Sequence, residues 1–194
     1  WPVDGVDVMK NYYLMNSVET AAMMQGLEAS LGRALTKDDM ELMTWGIYQS
    51  GQHILAKDYS AALAKWDTYA HAMEKVHEEF DLILTPTVSD VAPLQTQFPM
   101  EESVRQALNQ IEELSVPEQQ SVIWRMFDRT LALTPFTQLS NITGAPAISL
   151  PVYLSDKGLP IGVQFMAPRG QEALLMQVAE WFEEQGQFEM RQFS

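Results

Sequence analysis

Over most of its first half the chain repeats apolar residues with a helical period. Tyr12, Met15, Val18, Ala22, Met23, Leu27 and Leu31 recur mostly three and four apart, which predicts a helix over 9–31 that stops at Gly32. A second helix is expected from Thr36, whose hydroxyl caps the first turn with Asp39 three residues on. Met40, Met43 and Ile47 share its inward face, and Gly46 weakens the pattern. A third helix is expected from Asp58 or Ser60 to about Phe80, with Leu63, Trp66, Ala70, Met73, Val76 and Phe80 on its apolar stripe. At Asp81 the period changes. The run Asp81-Leu-Ile-Leu-Thr-Pro86 reads as a short buried strand stopped by proline. After a loop with Pro86, Pro93 and Pro99, two helices are predicted over 101–114 and 118–132, with Pro117 at the start of the second. Residues 147–151 and 160–166 read as the strands of a hairpin around the turn 155–158. A last helix over 171–185 carries Leu174, Leu175, Val178, Trp181 and Phe182 on one face and ends at Gly186.

Strands are few and, the hairpin apart, separated by helices. That order predicts an α/β fold with a partial mixed sheet covered by several helices, as a single unit over 1–194. Three short strands are a poor sheet for so many helices, so part of the sheet is expected to lie outside this chain. The chain opens at Trp1, with no basic segment leading into an apolar run, so a signal peptide is not expected. The reading is of a processed N-terminus or a piece of a longer protein.

Charge narrows the functions. Lys and Arg number 12 against 26 Asp and Glu, a net −14 spread over both halves. Such a chain repels phosphate backbones and anionic membranes, so neither nucleic acid nor a membrane is an expected partner. With no cysteine, disulfides, thiolate zinc sites and a cysteine nucleophile are excluded, and a cytoplasmic location fits best.

Candidate chemistry is sparse. The three histidines, His53, His71 and His77, form no recognisable set; His71 and His77 fall on different helix faces and read as packing or surface residues. The cluster His77, Glu78, Glu79 and Asp81 reads as a solvated turn, and no metal site or cofactor is expected. No His-Glu-x-x-His, phosphate loop, Gly-x-Ser-x-Gly or Ser-x-x-Lys occurs. The distinctive stretch is 133–166. In Asn141-x-x-Gly144-x-Pro146-Ala-x-Ser149-x-Pro151, Gly144 points to a positive φ or a close backbone approach, Asn141 to a side-chain bond that holds a turn, and Pro151 to the end of a strand. A structural role is the simpler reading of these residues, with a catalytic role the alternative.

This stretch resembles the C-terminal part of the amidase signature family, whose members carry the same Asn-to-Pro pattern followed by a turn and Gly-Leu-Pro-x-Gly-x-Gln, here Gly158 to Gln164. Asp81 to Thr87 is similar to the family's upstream Asp-(apolar)-Thr-Pro-Thr strand. Pro2 to Gly5 and the region from Leu31-Gly32-Arg33 to Trp45 resemble the branch related to 6-aminohexanoate-cyclic-dimer hydrolase. The resemblance covers essentially the whole chain.

It implies amide hydrolysis by a Ser–cis-Ser–Lys triad, in which a neutral lysine draws a proton through the middle serine and backbone N–H groups hold the oxyanion. The family's Gly-Ser-Ser-Gly-Gly-Ser segment lies upstream of the part matched here. This chain has no Gly-Ser dipeptide, and Lys10, Lys37, Lys57, Lys65, Lys75 and Lys157 sit in no matching motif. No catalytic residue is therefore assigned, and the chain alone is expected to be inactive. By resemblance, Phe136, Thr137, Ser140 and Asn141 border the acyl side of the substrate pocket. The implied partners are the N-terminal portion of the same amidase and a small-molecule amide, with a homodimer possible. Glutamine-dependent tRNA amidotransferase subunits resemble this stretch too, but carry an Asp seven residues before the Asn, where this chain has Thr134; that counts against an amino-acid amide and against that alternative. A non-catalytic binding module derived from an amidase is the other alternative.

Overall fold

The computed structural model describes residues 1–189. The elements run α1 (Gly5–Leu31), α2 (Leu42–Gly51), α3 (Ala56–His77), β1 (Ile83–Pro86), α4 (Glu102–Asn109), α5 (Val116–Leu131), α6 (Thr137–Thr143), β2 (Ala147–Leu154), β3 (Pro160–Met166) and α7 (Glu172–Glu184). The fold is α/β, as expected. It divides into two compact units: one made of Val6–Lys65 and Phe98–Arg129, the other of Trp1–Gly5, Trp66–Gln97 and the chain from Thr130 onward.

The helical unit is built on α1. Val8, Met9, Tyr13, Met15, Ala21 and Met24 are its buried apolar residues. The expected stripe through Met23, Leu27 and Leu31 instead faces outward, each more than 40% exposed. The reason is how close α2 comes. A Cβ on Gly51 would overlap the Ser17 carbonyl oxygen and stand 3.0 Å from the Ala21 Cβ, and the Ser50 hydroxyl donates to Ser17 Oγ at 2.9 Å. Helix α1 thus turns its small Ser17–Ala21 side to its neighbour, and the bulky positions rotate away.

Thr36 and Asp39 form the predicted box, but it closes a 3₁₀ turn over Lys37–Asp39 rather than opening α2. The Thr36 backbone N–H and hydroxyl donate to Asp39 Oδ2 at 2.8 and 3.0 Å, and Arg33 forks onto the same carboxylate at 2.7 and 2.9 Å. Arg33 first, then Thr36, hold the Asp39 carboxyl well below the usual carboxylate range. Met40 is extended, so the helix restarts at Leu42. Within α2, Trp45, Gly46 and Tyr48 are buried, while Met43 and Ile47 are only half-buried. Gly46 is a packing notch rather than a weak point. Its missing Cβ is the space taken by the Leu108 side chain of α4.

In the other unit the three strands form a sheet in the order β1-β3-β2. Both pairings are antiparallel, so among the described residues the sheet lacks the mixed character expected of it. The cause is that the hairpin strand β3 inserts between β1 and β2, which run parallel but never pair. Pro151 does not end β2. The strand continues to Leu154, with the extra residue Val152 making a bulge between Pro151 and Tyr153. An edge strand tolerates proline because no neighbour needs its missing N–H. Helix α7 packs against the sheet, with Phe182 edge-on to Phe165 at 5.7 Å. Leu139, Ile142, Leu150, Met166, Ala167 and Leu175 are buried here, with Tyr69, Ala70 and Met73 from α3. Among the described residues no helix is long and apolar enough to cross a membrane.

Candidate functional site

The segment expected to be a turn at Asn141 is a helix, α6. Leu139, Ile142 and Thr143 lie three and four apart, so a two-turn helix buries all three on one side. Gln138 Nε2 donates to Thr134 Oγ1 at 2.9 Å and ties the first turn to the preceding loop. At the other end Gly144 takes φ +69°, the positive φ the sequence suggested, here as the left-handed cap of a helix the sequence did not predict. The Arg169 guanidinium donates to the Thr143 carbonyl, with Nε at 2.8 Å and Nη2 on the same oxygen. That bond satisfies one of the carbonyls a helix end leaves without a partner.

Burial on one side places the candidate residues on the other. Phe136 precedes the first turn, and Thr137, Ser140 and Asn141 follow at helical spacing on one face of α6. Phe136, Thr137 and Ser140 are half-buried and Asn141 is exposed. Ser140 Oγ and Asn141 Nδ2 each donate to the Thr137 carbonyl at 3.2 Å, which is the local bond expected of Asn141. The structure therefore brings all four together.

None of the four titrates near neutral pH, and the Ser140 hydroxyl is bonded only to a backbone carbonyl. The surface offers a ring, two hydroxyls and an amide. It can hold a neutral polar group beside an apolar one, but it has no base to activate a nucleophile. Ser149 has none either, since its hydroxyl lies 2.7 Å from Thr87 Oγ1. Among the described residues no three His, Asp or Glu side chains are grouped to hold a metal. His77 bonds the Phe80 carbonyl through Nδ1 at 3.0 Å.

Two features escaped the sequence. Trp1 lies against Phe136, with ring centroids 5.5 Å apart and planes tilted by 59°, so the opening residue widens the apolar end of this surface. The Thr87–Ser149 hydroxyl pair spans β3 above Gly162, where a Cβ would stand 2.7 Å from Ser149 Oγ and 3.1 Å from Thr87 Oγ1. Below it, Thr85 and Ser149 flank Gln164 in register, and Gln164 Nε2 donates to Thr85 Oγ1 at 3.4 Å. The Thr-Pro-Thr and Gly-x-Gln segments were visible in the sequence, but their cross-strand register was not.

Gly144→Ala is expected to destabilise the protein by about 1 kcal/mol or more, because alanine is strained at positive φ. The added Cβ also falls 3.4 Å from Arg169 Nε. Thermal melts of the two proteins check this, and superimposable curves would refute it.

A family model described as amidase matches residues 1–176. A lipoamidase of Enterococcus faecalis is 33% identical over 182 residues, covering 94% of this chain and 25% of the relative. A 6-aminohexanoate-cyclic-dimer hydrolase of Pseudomonas sp. (strain NK87) is 30% identical over 179 residues, covering 90% of this chain and 33% of the relative. The solved structure of 6-aminohexanoate cyclic dimer hydrolase complexed with substrate aligns at a TM-score of 0.76 and 28% identity, over 95% of this chain and 36% of that one. The chain thus spans about a quarter to a third of the length of the curated relatives it matches. Motif, fold and family match agree over nearly all of its length, and the chain belongs to the amidase family.

Proposed function

We propose that this chain is the C-terminal portion of an amide-bond hydrolase, in which it lines the substrate pocket and completes the sheet. One observation carries the reading. The fold aligns over 95% of this chain with an amidase of which it spans only 36%. The missing chemistry fits that division, since α6 presents a neutral binding surface and neither Ser140 nor Ser149 has a base. On this reading the Ser–cis-Ser–Lys machinery belongs to the N-terminal portion of the same amidase, and residues 1–194 are one part of a larger domain. Phe136, Thr137, Ser140 and Asn141 border the acyl side of a small-molecule amide. The parent works without a cofactor in the cytoplasm and is a candidate homodimer.

The test begins with the gene upstream of the Trp1 codon, where an in-frame Gly-Ser-Ser-Gly-Gly-Ser segment with an earlier lysine is expected. The chain purified alone should not turn over linear or cyclic amides, and restoring the upstream segment should bring turnover. Hydrolysis by the chain alone, abolished by Ser140→Ala or Ser149→Ala, would overturn the proposal. With the upstream segment present, Thr137→Trp should shift the ratio of kcat/KM between small and large amides on the order of tenfold. Its melting temperature should barely move, because Thr137 lies on the side of α6 opposite the buried one. Unaltered selectivity would remove Thr137 from the pocket.

A further inference from the structure

The helical unit contains a cleft of about 340 Å³ between α1 and α5, separate from α6, which belongs to the other unit. That volume lies in the range of small-ligand pockets and holds roughly ten water-sized groups at ~30 Å³ each. Leu14, Pro117 and Trp124 give it apolar walls, and Lys10, Tyr13, Gln120 and Ser121 supply the polar part of the lining.

The charge is the informative feature. In a chain with 26 acidic and 12 basic residues, no Asp or Glu lines this cleft, and its one charged side chain is Lys10. Five other cations of the same unit are paired, Arg33 with Asp39, Lys37 with Glu112, Lys65 with Asp7, Arg105 with Glu102 and Arg129 with Glu101, and Arg125 donates to Ser103 Oγ; none of these, nor Lys57, lines the cleft. Lys10 makes no ion pair among the described residues. Its ammonium instead stands 5.2 Å from the Trp124 ring centroid, which holds it over the cleft without neutralising it.

Beside it, Tyr13 is fixed by stacking on Phe127, with centroids 4.6 Å apart and planes 6° from parallel. Burial first, then the neighbouring Tyr12, raise the Tyr13 pKa above the ordinary phenol value, so its hydroxyl remains a donor at neutral pH. The Gln120 amide reaches Ser17 Oγ at 3.4 Å and the Ser50 carbonyl at 3.2 Å, which anchors that wall. Ser121 is exposed and adds a hydroxyl to the lining.

We propose that this cleft binds a small organic carboxylate with an apolar body, the charge held by Lys10 and Tyr13 and the body between Leu14, Pro117 and Trp124. An ammonium and a phenolic hydroxyl are both donors, and a carboxylate accepts from both at once. An apolar body of about ten atoms fills the rest and excludes water from the ion pair.

The test is calorimetric titration of the full natural protein with benzoate, and with benzyl alcohol as the uncharged analogue. Benzoate should bind saturably and more tightly than benzyl alcohol. Lys10→Met, at an exposed position, should weaken benzoate at least about tenfold and leave benzyl alcohol unchanged. Ser121→Trp, also exposed, should fill the cleft and abolish binding of both. Absence of saturable benzoate binding, or its retention in either variant, overturns the proposal. These substitutions leave α6 untouched, so a failure here is distinct from a failure of the amidase reading.

Discussion

Gly51→Ala should destabilise the helical unit by about 3 kcal/mol or more, the upper part of the range for overpacking. The added Cβ would overlap the Ser17 carbonyl oxygen, a backbone atom in the middle of α1, and also crowd the Ala21 Cβ. A side chain can swing aside, but a carbonyl moves only if its helix moves. Separating α1 from α2 would also lengthen the Ser50–Ser17 hydroxyl bond, now 2.9 Å and fully buried. Gly26→Ala is the matched control. It lies within α1, and a Cβ there meets nothing within 4 Å. It should stabilise by about 0.8–1 kcal/mol from helix propensity alone. Urea denaturation followed by tryptophan fluorescence reads both. The close approach of α1 and α2 is refuted if the two glycines respond alike.

These two glycines mark where the sequence was legible and where it was not. Both sit in helices whose period was readable, and neither carries a local sign of what stands opposite. The 3.6-residue period placed α1, α3, α5 and α7 within a few residues, because an amphipathic stripe is a local property. The same period misplaced the buried side of α1, since Ser17 and Ala21 face inward only because Gly51 lies against them. Helix α6 was hidden by the small residues and prolines around it, and it forms because Leu139, Ile142 and Thr143 find a core to fill. At the candidate site, Phe136, Thr137, Ser140 and Asn141 were legible through family resemblance, and Gly144 through its own conformational requirement. Trp1 was not, because its contact with Phe136 joins residues far apart in the sequence. Nor was the Thr87–Ser149 pair, which depends on β1 and β2 being brought to either side of β3.

Leu108→Ala should cost about 3–5 kcal/mol, the upper range for emptying a leucine site. Leu108 is fully buried, as are Ile111 and Ile123. Its side chain occupies the notch at Gly46, where a Cβ would overlap Leu108 Cδ2 and lie 3.6 Å from Ile123 Cδ1. A glycine has no side chain to move into the space left behind, so the cavity cannot collapse from that side. The same geometry makes a second measurement decisive. Alone, Gly46→Ala should destabilise by about 1–3 kcal/mol, because the buried leucine has no free direction in which to retreat. In the Leu108→Ala background the clash is gone and the new methyl fills part of the cavity. Gly46→Ala should then become stabilising, by about 1 kcal/mol with the gain in helix propensity included. A double-mutant cycle measures that change of sign as a coupling between the two positions. Additive effects would mean that α2 and α4 do not meet through this notch.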